Sequence, residues 1–280
     1  MNRLELINQG SKKLRNQNIK SFRLDSEILL SKILDKKREN ILINLDEEVK
    51  YDNILKFNKL INRRCSKEPI AYILNSKEFW SKPFRVSTDT LIPRPETELL
   101  VESLVDIYKN KKISILDIGV GSGCILISLL SDLNKSTGIG IDISRKALLI
   151  AKNNAKFHNV LSNIKFFRKS FLDMFNYKFD LIVSNPPYIE SKYIKNLDED
   201  IKRFEPLIAL DGGNDGLDVI RKVIYKAKYI LKINGLFALE IGNEQYKKVS
   251  KILKKNNFKV ERKIKDYNEN TRCLISKLLK

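Results

Sequence analysis

ISILDIGVGSG, residues Ile113 to Gly123, carries two local patterns in eleven residues. Its first half is a short run of apolar β-formers and reads as a buried strand. Its second half places Gly119, Gly121 and Gly123 within five residues and leads into the apolar helical run that reaches Leu130. A strand that ends in glycines and opens a helix is the first turn of a doubly wound α/β sheet. Glycines there allow a tight turn and let a ligand approach the backbone. The next apolar run, GIGIDIS, reads as the second strand and ends near Asp142, 19 positions after Gly123. A carboxylate at that point can accept two hydrogen bonds from ribose hydroxyls. The constellation suits a nucleoside cofactor. The spacing is GxGxG, not GxGxxG, and Asp117 precedes the first glycine. A pyrophosphate is best held by helix N-terminal amides without a carboxylate beside them. S-adenosylmethionine carries a sulfonium and an amine and no phosphate, so it is the cofactor this stretch favours over NAD.

On both sides of this stretch, strands and helices alternate. ETELLVESLVDIYKN reads as a helix before the decisive strand, and RKALLIAKNNAKFHN as a helix after the second. NIKFFR and FDLIVSNPP follow as strands, then a helix from about Leu217 to Leu231, the strand GLFALEIG and the helix EQYKKVSKILKKNN. This pattern predicts a mostly parallel sheet covered on both faces. The last two runs, FKVERKIKD and TRCLISKLL, have no helix between them and are expected to pair antiparallel at one edge. Residues 1 to about 75 carry helical periodicity instead. Leu4, Ile7 and Leu14, then Leu24, Ile28 and Leu34, then Ile54, Phe57, Leu60 and Ile61 recur at helical spacing, which predicts a small bundle. EFWSKPFRVSTDTLIPRP, between the two regions, reads as a hairpin or linker.

Asn185-Pro186-Pro187-Tyr188 follows the strand FDLIVS, at the strand end where ligands collect in such sheets. Two prolines fix an extended turn and remove two donors. Their carbonyls and the Asn185 side-chain oxygen remain as acceptors able to hold both protons of an NH2 group, which turns the nitrogen lone pair toward a methyl donor. Tyr188 is expected to form a flat wall for a planar amide or base. Polarising the N–H bonds in this way needs no strong base. That matters because the chain has one histidine, His158, beside a helix end, where a surface or capping role is expected.

Composition narrows the remaining choices. The 280 residues carry 53 Lys+Arg against 34 Asp+Glu, a net charge of +19, with 42% hydrophobic residues. A chain with that apolar content has a core and is not wholly disordered. The charge admits an acidic partner, but the lysines are scattered without a block of five or six, so a general preference for Lys, Ile and Asn accounts for it. The three cysteines, Cys65, Cys124 and Cys273, form no CxxC pair, which argues against a disulfide framework or a cysteine zinc site. No secretory h-region or membrane-length apolar run is present, and a reduced, cytoplasmic protein is expected. A single histidine also argues against a serine-hydrolase triad and most metal sites. The triplet Asp198-Glu199-Asp200 is expected to be a solvated acidic stretch of the substrate loop, without a metal.

DIGVGSG, GIDIS and IVSNPPYI together resemble the class I S-adenosylmethionine methyltransferases that modify planar nitrogens. LIPRPETE (Leu91–Glu98), FEPLIALDGGNDGL (Phe204–Leu217) and LEIGNEQ (Leu239–Gln245) narrow this further. With the N-terminal helical region, nearly the whole chain resembles the HemK/PrmC family of peptide chain release factor N5-glutamine methyltransferases. The resemblance implies an α/β, Rossmann-like fold with a mostly parallel seven-stranded sheet and a small N-terminal helical domain. It implies a bundle at 1–75 for substrate recognition, a hairpin or linker at 76–96 and a methyltransferase domain at 97–280.

It also implies roles. Asp117, Gly119, Val120, Gly121, Ser122 and Gly123 would line the cofactor, with Asn185 reaching it. Asp142 would hold the ribose, and Phe171 would pack on the adenine. Asn185, Pro186, Pro187 and Tyr188 would grip the substrate amide, with Asn185, Pro186 and Tyr188 catalytic. Ser170 stands where an acid is common, and Val120 where a Thr is more usual. Arg94 and Glu96 would brace the linker near the cofactor, as a structural salt link between domains in preference to direct substrate contact, and Glu205-Pro206 and Asp211 to Gly213 would shape a loop over the site. The implied reaction moves the methyl group to the glutamine of the Gly-Gly-Gln motif of class 1 release factors, leaving S-adenosylhomocysteine. The implied protein is a monomer without membrane contact or a stable nucleic-acid partner. A ribosomal protein glutamine methyltransferase, or an adenine N6 or guanine N2 nucleic-acid methyltransferase, shares the motif chemistry.

Overall fold

Seven strands join into one sheet in the computed structural model, which describes residues 1–173 and 177–279. The chain divides into two units: Met1–Ser76 with Asp198–Phe204, and Lys77–Leu197 with Glu205–Lys280. No helix among the described residues is long and apolar enough to cross a membrane.

The N-terminal unit contains α1 (Arg3–Asn16), α2 (Phe22–Leu34), α3 (Arg38–Ile43), α4 (Tyr51–Cys65) and α5 (Ile70–Leu74). A capping box starts α1: the Glu5 N–H donates to Asn2 Oδ1 at 2.9 Å and the Asn2 N–H to Glu5 Oε2 at 3.0 Å. Leu6, Ile7, Leu14, Phe57 and Ile61 form the core with Leu29 and Leu30. The apolar face of α2 differs from the expected one. Leu24 is exposed and Ile28 only half-buried, while Asp25, Ser26 and Glu27 are buried beside Leu29 and Leu30. Those polar side chains are satisfied in place. Asp25 pairs with Arg64 at 2.7 Å, the Ser26 hydroxyl donates to the Ile7 carbonyl, and Glu27 takes Arg23 and Arg38. Buried polar groups with partners carry no penalty that hydrophobic periodicity can register.

The second unit starts with a hairpin of β1 (Ser76–Phe79), whose first residue ends the other unit, and β2 (Lys82–Arg85). Its turn residues, Trp80 and Ser81, both have positive φ, as a two-residue turn matching strand twist requires. Then follow α6 (Pro95–Tyr108), β3 (Ser114–Ile118), α7 (Cys124–Asp132), β4 (Thr137–Asp142), α8 (Arg145–Phe157), β5 (Ile164–Arg168) and β6 (Phe179–Ser184). The chain continues through α9 (Glu199–Phe204), α10 (Asp218–Ile230), β7 (Leu231–Glu240), α11 (Tyr246–Lys255), β8 (Phe258–Lys265) and β9 (Thr271–Leu278). The strand order is β5-β4-β3-β6-β7-β9-β8. β3 pairs parallel with both β4 and β6, and β9 inserts antiparallel between β7 and β8. Alternate residues of β3 and β6 enter two apolar clusters: Ile115, Leu181 and Val183 join α6, α7 and α8, while Leu116 and Ile182 join α10 and α11. The two faces of the sheet are therefore both covered.

This order reverses at β3. The chain moves from β3 outward to β4 and β5, then returns to β6 on the other side. The reversal opens a crevice at the carboxyl ends of β3, β4 and β6, where ligands bind in such sheets.

Candidate active site

The three strand ends at the crevice carry Gly119, Asp142 and Asn185. α7 begins at Cys124, three residues later than the expected start at Gly121, because Gly119, Gly121 and Gly123 all have positive φ. The loop lies against β4: the N–H groups of Gly119 and Val120 both donate to the Ile141 carbonyl at 3.0 Å. A side chain at Gly119 would meet nothing within 4 Å, so the space in front of it is open. At Gly123 a Cβ would come within 2.7 Å of Ile127 and 3.3 Å of Ala151, so that glycine serves helix packing.

Asp142 closes the end of β4. Its Oδ2 accepts from the Gly121 N–H at 3.0 Å and its Oδ1 from the Ser144 N–H at 2.9 Å. The carboxylate thus braces the glycine loop and keeps a second acceptor site on each oxygen. Behind the loop, Asp117 is 1% exposed, and neither carboxyl oxygen has a close hydrogen-bond partner among the described residues. Burial pushes its pKa up to about 7; the Leu126 N–H draws it down, and Asp142 pushes it further up.

These elements enclose a cavity of about 390 Å³, within the size range of a small-molecule site. Gly119 to Ser122, Asp142, Ser170, Phe171, Asn185, Pro186 and Pro187 line it. Phe171 is half-buried against the second apolar cluster, and the Ser170 hydroxyl accepts from the Leu172 N–H. No backbone N–H among the described residues bonds to the carbonyls of Asn185, Pro186 or Pro187. Asp117, Gly123 and Tyr188 do not reach the cavity wall.

Tyr188 is the clearest departure from expectation. It is no flat wall of the cavity: its ring packs on the second apolar cluster. Its hydroxyl donates to Glu240 Oε1 at 3.3 Å and accepts from Arg272 Nη2 at 3.1 Å. Burial pushes its pKa upward, so it stays a phenol. The reason is chain direction: after two prolines the backbone pairs through Ile189 with Asp211.

The Arg94 expectation also changes. Arg94 Nη2 donates to Glu205 Oε1 at 2.6 Å, and the Ile92 N–H to Glu205 Oε2 at 3.2 Å. All three residues belong to the second unit, so the pair is no link between domains. It ties the Leu91–Glu98 stretch to the loop that sends Pro206, Ile208 and Ala209 to the cavity. Asp211 Oδ1 accepts from the Gly213 N–H and the Ser191 hydroxyl, which shapes the same loop. Asp198-Glu199-Asp200 belongs with the N-terminal unit, where Glu199 pairs with Lys202 at the start of α9. His158 caps α8, its Nε2–H donating to the Pro83 carbonyl at 2.9 Å.

Sequence reading missed Thr97, Glu240 and Arg272 as site neighbours. Thr97 lines the cavity, and its hydroxyl donates to Glu240 Oε2 at 2.6 Å. Glu240 is fully buried at the end of β7. A buried acid at the end of an apolar strand was the signal available.

Comparison with known proteins adds to this geometry. Residues 5–74 match the PrmC N-terminal domain and residues 94–201 the methyltransferase small domain. A release factor glutamine methyltransferase of Fusobacterium nucleatum subsp. nucleatum is 36% identical over 278 residues, covering 98% of this chain and 78% of that one. One from Buchnera aphidicola subsp. Schizaphis graminum is 44% identical over 250 residues, covering 89% and 90%. The crystal structure of ribosomal protein L11 methylase from Lactobacillus delbrueckii subsp. bulgaricus shares the fold with a TM-score of 0.51, at 20% identity over 68% of this chain and 81% of that one.

Proposed function

The chain belongs to the release factor glutamine methyltransferase family, and we propose that its cavity holds S-adenosylmethionine beside the Gly-Gly-Gln glutamine of a class 1 release factor. The reaction is methylation of that glutamine at its side-chain nitrogen. The observation that supports this assignment of residues is the convergence of Gly119, Asp142 and Asn185 on one cavity at the reversal point of the sheet. The site fits the cofactor in three respects. The space before Gly119 is open, Asp142 keeps free acceptor sites, and the buried Asp117 carboxyl, with its pKa raised to about 7, can place negative charge behind the loop when it ionises. When bound, S-adenosylmethionine supplies an already activated methyl group.

The chain's own residues position and polarise. Asn185 Oδ1 and the carbonyls of Pro186 and Pro187 are acceptors for the two amide protons. They hold the NH2 group so that its lone pair faces the methyl carbon. With the cofactor bound, transfer would join the methyl carbon to the held nitrogen as its bond to sulfur breaks, releasing S-adenosylhomocysteine, and the amide proton would pass to water. Positive charge grows on nitrogen during transfer, so these acceptors bind the transition state more tightly than the ground state. Orientation of this kind can supply ~7–11 kcal/mol of a barrier.

The test is single-turnover methylation with labelled cofactor, using a release factor that carries either Gly-Gly-Gln or Gly-Gly-Glu. Label is expected only in the glutamine protein. Asn185→Ala should keep cofactor affinity and lose on the order of 10²–10³ in kcat. Labelling of the glutamate protein at that position, or of tRNA or ribosomal protein in place of the release factor, overturns the reading.

A further inference from the structure

Asn185 can serve as an acceptor only if its amide oxygen, and not its NH2 group, faces the cavity. The two orientations have nearly the same shape, so something must choose between them. The neighbour available is the Thr97 hydroxyl, 3.5 Å from Asn185 Nδ2. A hydroxyl can meet an amide as donor or acceptor, so Thr97 alone decides nothing. Its proton, however, is taken. Thr97 Oγ1 donates to Glu240 Oε2 at 2.6 Å, and a carboxylate can only accept. The hydroxyl oxygen then has only acceptor sites left for Asn185, which must present Nδ2 to it.

We propose that Glu240 and Thr97 form a proton-orienting relay that sets the amide of Asn185 with its oxygen toward the substrate, and so selects a glutamine amide over a carboxylate; this rests on the function proposed above. A second donor reaches Glu240 and is itself held in place. The Tyr188 hydroxyl donates to its other oxygen, and Arg272 bonds to that hydroxyl while its guanidinium lies 5.6 Å from the Tyr188 ring. Burial holds the Glu240 pKa above the ordinary carboxylate value; Thr97, Arg272 and Tyr188 oppose that rise and Glu96 adds to it. Gln245 fixes the backbone of the same turn, with Nε2 donating to the Tyr188 carbonyl at 2.9 Å and Oε1 accepting from the Gly242 N–H at 2.8 Å. Within LEIGNEQ, Glu240 thereby orients the loop's amide and Gln245 holds the loop's main chain. Thr97 and Glu240 are positioning residues, acting through Asn185.

Thr97→Val keeps the shape and removes the hydroxyl, and Thr97→Ser keeps the hydroxyl. With the relay cut, Asn185 is free to turn its NH2 group to the cavity. Thr97→Val should lower kcat on the order of 10²-fold while leaving cofactor affinity by calorimetry unchanged. It should also bind the Gly-Gly-Glu release factor better relative to the Gly-Gly-Gln one, narrowing that preference by at least about tenfold. Thr97→Ser should restore both quantities. A merely structural role for Thr97 would weaken both proteins alike and leave the preference untouched. Glu240→Gln, whose amide can donate to the hydroxyl, should narrow the preference in the same way without altering Thr97. An unchanged preference in both Thr97→Val and Glu240→Gln, or a Thr97→Ser enzyme as impaired as Thr97→Val, overturns the relay. Failure of the wild-type chain to methylate the Gly-Gly-Gln protein overturns the function reading instead.

Discussion

Asp117 sets binding against stability within one side chain. It sits on β3 between Gly140 and Val183 of the neighbouring strands, buried and without a close partner. Its folded pKa is raised from the ordinary 3.8 to about 7, chiefly by burial. A carboxyl shifted in that direction contributes most to stability below the unfolded value. That contribution is lost as pH rises toward the folded value, and the loss is complete above it. Asp117→Asn, which stays neutral, should therefore raise the melting temperature of the cofactor-free protein by several degrees at pH 8. The gain should shrink as pH falls toward 4. The same substitution should weaken S-adenosylmethionine binding about tenfold or more, since a charge-assisted attraction to the cationic cofactor is lost. Scanning calorimetry at the two pH values and a titration with cofactor measure both effects. Equal melting temperatures for the two proteins at pH 8 would show that the buried carboxyl costs nothing.

At the scale of elements, the glycine loop shows that adjacent glycines can answer different demands. Gly119 has φ of +76° and faces open space, while Gly123 has φ of +85° and faces α7 and α8. Gly119→Ala should cost only the backbone strain, about 1–2 kcal/mol, yet obstruct the cofactor. Gly123→Ala should carry the same strain plus about 1–3 kcal/mol of overpacking against Ile127 and Ala151. Denaturant unfolding with cofactor titration separates them: the first variant loses affinity more than stability, the second the reverse. The sequence made this loop legible because glycine spacing and strand periodicity point to the same element. The strand directions were legible for a similar reason, since helices between strands enforce parallel pairing. The buried face of α2 was not, because Asp25, Ser26 and Glu27 are buried with partners supplied by α1, α3 and α4. Nor was the surround of Tyr188. Thr97, Glu240 and Arg272 come from α6, β7 and β9, and meet only when the sheet closes. A motif reading sees Asn185 to Tyr188 as one unit. The fold sends Asn185 to the cavity and Tyr188 away from it.

For the whole molecule, the question is what the net charge of +19 does. Parallel pairing ends at β7, and the sheet finishes in the antiparallel pair β9 and β8, with β8 as an open edge. An open edge offers unpaired N–H and C=O groups to any other chain, and charged side chains, lysine above all, discourage that pairing. β8 carries Lys259, Arg262, Lys263 and Lys265, all exposed, against Glu261 alone. The preceding α11 adds Lys247, Lys248, Lys251, Lys254 and Lys255, around a buried stripe of Val249 and Leu253. Positive charge gathered along an edge strand therefore has a sufficient cause in keeping the edge unpaired. Lys259→Thr with Lys265→Thr leaves strand propensity intact and removes two of those charges. Light scattering should then show self-association that rises with protein concentration and with salt, while kcat for release-factor methylation stays within about twofold, because neither residue is near the cavity. A polyanion-binding role for the same surface gives a different pattern. The double variant would stay monodisperse, and wild-type turnover would rise on addition of RNA and fall steeply with salt. That result would move the charge from edge protection to partner binding.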